Sequence, residues 1–283
     1  MASIYWYGLL AIIGIGIAAY TVYKKSDIAK LSTYLVFFLF ATCITWIGEF
    51  IVLGLFNSYA YKTGVYTDPW AQNILGHLIL NSTFYPGTAI LVAAYSLGYG
   101  WIFLITVIYL LLEYLFLTLG IYEHHWWKYY MTGLAIFIYQ ILTKVWFAKM
   151  KKLQQGWLRI ITLYFVGFVL LHYPIPILLL LGKEYYKVNW VPDMYLSSTM
   201  FIFSYQLVEA LLLTLFVCVL KKWYWKLVPF ALGFIGQSTL FNFNILVFQN
   251  RWNLFYSVLV YFLSISIFIL IEKYTLNSNT LLS

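Results

Sequence analysis

Long apolar runs separated by short polar, aromatic turns fill the chain. The stretch 112–132 shows the pattern in miniature. Glu113 sits inside an apolar run, the turn Tyr122-Glu123-His124-His125-Trp126-Trp127 follows, and a new apolar run starts at Tyr129. Runs of about 20 apolar residues match a hydrocarbon layer of about 30 Å crossed by a helix. Barrel strands alternate over about ten residues and do not read this way. The pattern predicts an all-α, polytopic transmembrane helical bundle with nine spans, at about 3–23, 32–56, 73–97, 101–121, 128–148, 158–182, 194–220, 227–247 and 253–272. The loops are short, so residues 1–283 read as a single membrane domain. The first run lacks a basic leader and a small-residue cleavage pattern, and reads as a membrane helix that is kept.

Composition agrees. Only 9% of residues are charged, against about 25% in soluble domains. A net charge of +8 points to topology and to anionic lipid, not to nucleic acid. Lys24, Lys25, Lys30, Lys144, Lys149, Lys151, Lys152, Arg159, Lys221, Lys222, Lys226 and Lys273 fall at one face of the nine-span arrangement. Lys62, Lys128, Lys183, Lys187 and Arg251 fall at the other, offset by Asp68, Glu123, Glu184 and Asp193. The basic face is cytoplasmic by the positive-inside rule, which predicts a multi-pass plasma-membrane protein with its N-terminus outside and its C-terminus inside. Cys43 and Cys218 lie inside apolar runs and read as free buried thiols.

A repeat emerges when loops are aligned. Tyr61-Lys62 matches Tyr186-Lys187 at a shift of 125 positions, and Asp68 with Asp193, Trp127 with Trp252 and Thr132 with Ser257 match at the same shift. Asn81 pairs with Gln206, and Glu113 with Ser238. The reading is a tandem parallel repeat of four helices, about 1–125 and 126–250, closed by a ninth helix at 253–272.

Acids inside a bilayer cost at least about 2.5 kcal/mol and face protein or water. Glu49, Glu113 and Glu209 are such acids. At 1.5 Å per residue, Glu49, His77 and Glu113 lie at a common level, roughly 10 Å below the outer surface, with Asn81 one turn below His77. With Gln206 and Glu209 these form the candidate substrate or ion site. Three readings stand: a buried polar cluster tying spans 2, 3 and 4 together, a proton or cation site opening outward, and a metal site of Glu49, His77 and Glu113. The spacing carries no metal motif, and no metal ligand or catalytic residue is assigned. Tyr85-Pro86-Gly87 and the pair Pro174 and Pro176 predict kinks in spans 3 and 6. No Gly-rich phosphate loop, zinc-protease helix motif or serine nucleophile elbow is present, and no cofactor is assigned. Asn81-Ser82-Thr83 matches a glycosylation pattern but falls inside a span.

Asn81, Tyr85-Pro86, Glu113, Gly120, Tyr122 and Trp127 carry a loose resemblance, over about 73–148, to a family of small uncharacterised membrane proteins of Bacillus-like and Clostridium-like bacteria. The resemblance implies a bacterial plasma-membrane or spore-membrane setting and no activity. Three function classes follow from the sequence: transport or sensing of a small solute, ion or proton through the intramembrane polar cluster; a membrane enzyme acting on a lipid or isoprenoid with Glu113 or Glu49 as acid; and a structural subunit of a membrane assembly. Membrane lipids are the one partner class implied; a homo-oligomer or membrane-protein partner is left open.

Overall fold

A computed structural model describes residues 3–152, 156–220 and 222–275. Of the basic residues used for orientation, Lys221 lies outside the described residues, as do the side chains of Lys151 and Lys152. The structure is helical, and seven helices among the described residues are long and apolar enough to cross a membrane: Ile4–Lys24, Leu31–Leu55, Tyr99–Thr118, Tyr129–Met150, Trp157–Leu180, Met194–Val219 and Leu254–Tyr274. The chain is therefore an integral, multi-pass membrane protein bathed in lipid. The third and eighth runs expected from the sequence take other forms. The third breaks into two short helices, and the eighth gives a helix of 15 residues.

The chain divides into two compact units, Met1–Lys152 and Leu153–Ser283. The division falls after a complete helix, whereas the repeat boundary read from the sequence, at about 125, lies ahead of that helix.

Unit 1 contains α1 (Ile4–Lys24), α2 (Leu31–Glu49, continuing as a π-helical turn Phe50–Leu55), β1 (Tyr59–Tyr61), α3 (Pro69–Asn81), α4 (Phe84–Ala94), α5 (Tyr99–Thr118), β2 (Tyr122–His124) and α6 (Tyr129–Lys152). Asp68 starts α3: its carboxylate accepts from the Ala71 amide at 2.9 Å, and Pro69 at the first position needs no donor partner. The run then breaks at Ser82 and Thr83, ahead of Tyr85-Pro86-Gly87. Pro86 therefore occupies the first turn of α4, where a missing N–H costs nothing, and not a kinked interior. α4 packs on α1 by backbone approach of small residues. A Cβ on Gly87 would strike the Gly14 backbone, and one on Gly14 would strike the backbone of Thr83 and Phe84, as in close helix crossings in lipid.

β1 and β2 pair antiparallel, Tyr59 with His124, Ala60 with Glu123 and Tyr61 with Tyr122. The period of two points Tyr59, Tyr61, Tyr122 and His124 to one side and Ala60 and Glu123 to the other. Tyr59 and Tyr61 are buried, and exposed Glu123 pairs with Lys62. Lys62 holds the Glu123 carboxyl below the usual carboxylate range.

Unit 2 contains α7 (Trp157–His172), α8 (Pro174–Leu180), β3 (Glu184–Tyr186), α9 (Met194–Thr214, continuing as a π-helical turn Leu215–Val219), a 3-10 turn Trp223–Leu227, α10 (Val228–Asn242), β4 (Leu246–Phe248) and α11 (Leu254–Tyr274). The break between α7 and α8 falls at Tyr173, beside Pro174. Asp193 starts α9 by accepting from the Leu196 amide at 2.8 Å. β3 and β4 pair antiparallel, Glu184 with Phe248 and Tyr186 with Leu246. Glu272 near the end of α11 accepts from Arg159 of α7 at 3.0 Å and from Lys226 at 2.9 Å.

A carboxylate-lined cavity as candidate functional site

Unit 1 encloses a cavity of about 300 Å³. Two of the sequence-predicted acids, Glu49 of α2 and Glu113 of α5, line it together with Asn81 at the end of α3. Six tyrosines, Tyr59, Tyr61, Tyr85, Tyr109, Tyr122 and Tyr139, also line it, and Trp127 and Thr132 lie near Glu113. Among the described residues no Lys or Arg lines the cavity.

Each acid accepts hydrogen bonds from the β1–β2 ribbon. Tyr59 and Tyr61 donate to the two oxygens of Glu49, each at 2.7 Å. Burial pushes both tyrosine hydroxyls well above their ordinary titration range, so they remain donors. β1 places them two residues apart on one side of the ribbon, and the Tyr61 amide is fixed by Asn73 of α3 at 2.8 Å. Glu113 is bound differently. One oxygen accepts from His124 Nε2 at 2.8 Å and from Thr132 of α6 at 2.7 Å. Trp127 donates to Thr132 at 2.7 Å and so orients it. The other oxygen, Oε2, is buried with no hydrogen-bond partner among the described residues.

The backbone is irregular around this cavity. The π-helical turn of α2 begins directly after Glu49, and the α3/α4 break follows Asn81. Non-helical backbone inside a membrane protein is tolerated where protein or a cavity satisfies it. Here Thr45 of α2 donates to the Asn81 carbonyl at 3.2 Å.

The remaining predicted residues sit elsewhere. His77 accepts from the Asn81 amide through Nδ1 at 3.1 Å and rests against Trp46, outside the cavity lining. Partners for Glu113 were expected from spans 2 and 3; they come instead from the β2 turn and from α6. Among the described residues no three His, Cys, Asp or Glu side chains are grouped to hold a metal ion. Gln206 and Glu209 belong to unit 2. Tyr261 joins them: it accepts from Gln206 at 3.0 Å and donates to Glu209 at 2.9 Å. His172 Nδ1 donates to Gln206 at 2.7 Å. A further acid, Glu184 of β3, accepts from Trp252 at 2.9 Å. Its surroundings raise its titration above the usual carboxylate range, burial being the largest cause.

Sequence reasoning passed over the tyrosines, His124 and Thr132. The alternation Tyr59-Ala60-Tyr61 covers only three residues, too few to mark a buried strand face in the sequence. Comparison of the chain with protein-family models, with characterised proteins and with solved structures finds no match to any of them.

Proposed function

We propose that unit 1 is a membrane-embedded binding chamber for a small cationic, hydrogen-bond-donating solute, which the protein senses or passes. The unpartnered, buried Glu113 oxygen on the cavity carries this reading. A buried carboxylate oxygen without a donor is costly, and a cation in the cavity satisfies it. The second acid, Glu49, adds to the negative character, and no lining cation among the described residues opposes it. A second reading, an enzyme acting on a lipid or isoprenoid, is favoured by the Glu113–His124 pair, since an acid tied to an imidazole on one oxygen is poised to exchange a proton through the other.

The test uses purified protein and n-butylamine near neutral pH. The amine raises the melting temperature of the parent in a concentration-dependent way, while butyrate does not. Glu113→Gln keeps the fold, because the amide accepts from Thr132 and His124, and loses the response. Equal responses in the parent and the Gln variant overturn the reading.

The chamber belongs to a nine-span topology in this proposal. β1 and β2 hydrogen-bond to each other, so both lie on one side of the membrane. α5 crosses between them, and α3 with α4 must make the compensating crossing. β3 and β4 likewise lie on one side, so α9 and α10 make two crossings between them and α10 is the eighth span. Positive-inside charge then sets the N-terminus outside and the ribbons on the outer face of a bacterial plasma membrane.

The proposal also keeps the duplication, with a changed phase: α2 to α6 correspond to α7 to α11, and α1 precedes the pair of repeats. Equivalent hydrogen bonds support it. Asp68 with Ala71 matches Asp193 with Leu196, and the Tyr61 amide on Asn73 matches the Tyr186 amide on Ser198 at 2.9 Å. From Glu113 in α5 to the end of β2 the shift is 124 positions, one fewer, and it returns to 125 by Thr132. Ile121 amide to Phe116 carbonyl corresponds to Ile245 amide to Leu240 carbonyl. Glu113 then pairs with Gln237, not Ser238, and Ser257 donates to Gln237 as Thr132 does to Glu113.

A further inference from the structure

The exposed residues that line the cavity share one location. Gly48 of α2 and Ala135, Ile138 and Leu142 of α6 are exposed, Ile138 by 51% and Leu142 by 39%. All lie within helices long and apolar enough to span a bilayer. α2 and α6 are joined nearer their other ends, where Phe40 stacks on Trp146 with ring centroids 4.8 Å apart and Phe37 meets Phe147 at 4.7 Å. Tyr139 donates to the Ala41 carbonyl at 3.3 Å just above that contact. The exposed lining residues Gly48 and Ala135 are small, and a Cβ built on Gly48 meets nothing within 4 Å.

We infer that the cavity has a lateral mouth between α2 and α6, facing hydrocarbon, and that its occupant is a bilayer-borne amphiphile with its chain in the mouth and a cationic, hydrogen-bond-donating head at Glu113. This rests on the binding reading above and names the substrate class for it. The mouth is apolar: Ala135, Ile138 and Leu142 lie at helical spacing on one side of α6, and Ile44 and Gly48 of α2 line the same cavity. A freely hydrated ion gains nothing from such a doorway, whereas an alkyl chain stays in an environment equivalent to lipid. The polar groups lie deeper, at Glu113, Thr132, Glu49 and the tyrosines, where a head drawn out of the interface finds replacement partners for its lost water.

The test uses the full chain in lipid nanodiscs with a long-chain primary amine bearing a diazirine in mid-chain. Light should attach the probe to α2 and α6 around Gly48 and Ile138. Labelling there should fall about tenfold or more in Glu113→Gln, the loss of one charge-assisted hydrogen bond, and comparably in Gly48→Leu with Ala135→Leu, which fills the mouth and keeps both acids. Gly16→Ala, outside the cavity lining and with open space around it, should label like the parent; Ala135→Leu alone serves if the double variant does not fold. Labelling spread over the lipid-facing helices, or unchanged by the filled mouth, overturns the lateral mouth. If n-butylamine still stabilises the parent and not Glu113→Gln in that event, the chamber remains and only its lipid occupant is rejected. If n-butylamine has no such effect either, both fail.

Discussion

Gly87 of α4 lies against the Gly14 backbone of α1, so closely that neither residue has space for a single methyl group. This contact fixes the wall behind the cavity, because Phe84, Tyr85 and Leu10, all lining residues, stand within a turn of it. Gly14→Ala or Gly87→Ala forces the helices apart and costs about 1–3 kcal/mol. Gly16→Ala, on the same helix with open space around it, leaves stability unchanged or improves it through helix propensity. Melting temperatures in detergent decide this, and equal effects at Gly14 and Gly16 would remove the close crossing.

The two donors on Glu49 give a second prediction. Tyr59→Phe and Tyr61→Phe each delete one hydrogen bond to a carboxyl group, worth about 1.5–3 kcal/mol if the group is charged. Both act on one carboxyl group, through its two oxygens, so the double variant should not show the sum of the single losses. Chemical denaturation of the three variants measures the coupling, and strict additivity means that the two hydroxyls do not act through Glu49.

Glu184 sets a pH dependence for unit 2. Burial raises its folded-state titration above the usual carboxylate value, which is about 4.3 in the unfolded chain. The folded state therefore binds the extra proton, and its stability falls as pH rises from about 4.3 through the raised folded value. Glu184→Gln flattens that segment of the stability profile and keeps the acceptor for Trp252. Melting curves collected across that window, for parent and variant, give the comparison; parallel profiles would assign the slope to other groups.

Topology is open to direct labelling. In a background with Cys43 and Cys218 replaced, cysteines at Val65 and Asn189 react with an impermeant thiol reagent added outside intact cells, and cysteines at Ser26 and Lys222 do not. All four positions are exposed. The reverse pattern would invert the orientation and place the ribbons at the cytoplasmic face.

Glu49, Glu113 and Asn81 were legible in the sequence because a polar group in an apolar run has few acceptable locations, and depth along a helix follows from counting residues. The long helices were legible for the same reason: twenty apolar residues leave little choice. The partners were not. Tyr59, Tyr61 and Tyr122 sit on strands of three residues, too short to establish a period, and β1 and β2 are separated in sequence by three helices. Nothing local indicates that His124, a residue of the turn, reaches back to Glu113 in the preceding helix. The α3/α4 break had a visible signal, three consecutive polar residues at Asn81-Ser82-Thr83, but a hydropathy run averages over it.

The β1–β2 ribbon gives the molecule a mechanical property. Three paired residues on each side carry the donors to both acids: Tyr59 and Tyr61 to Glu49, His124 to Glu113. Slipping one strand by one position turns its whole inward set outward. A one-position slip would therefore take from Glu49 or Glu113 its ribbon donors, so the register of three residue pairs sets the hydrogen bonding of both acids, and Lys62, Glu123 and the exposed His125 stand on or beside that ribbon.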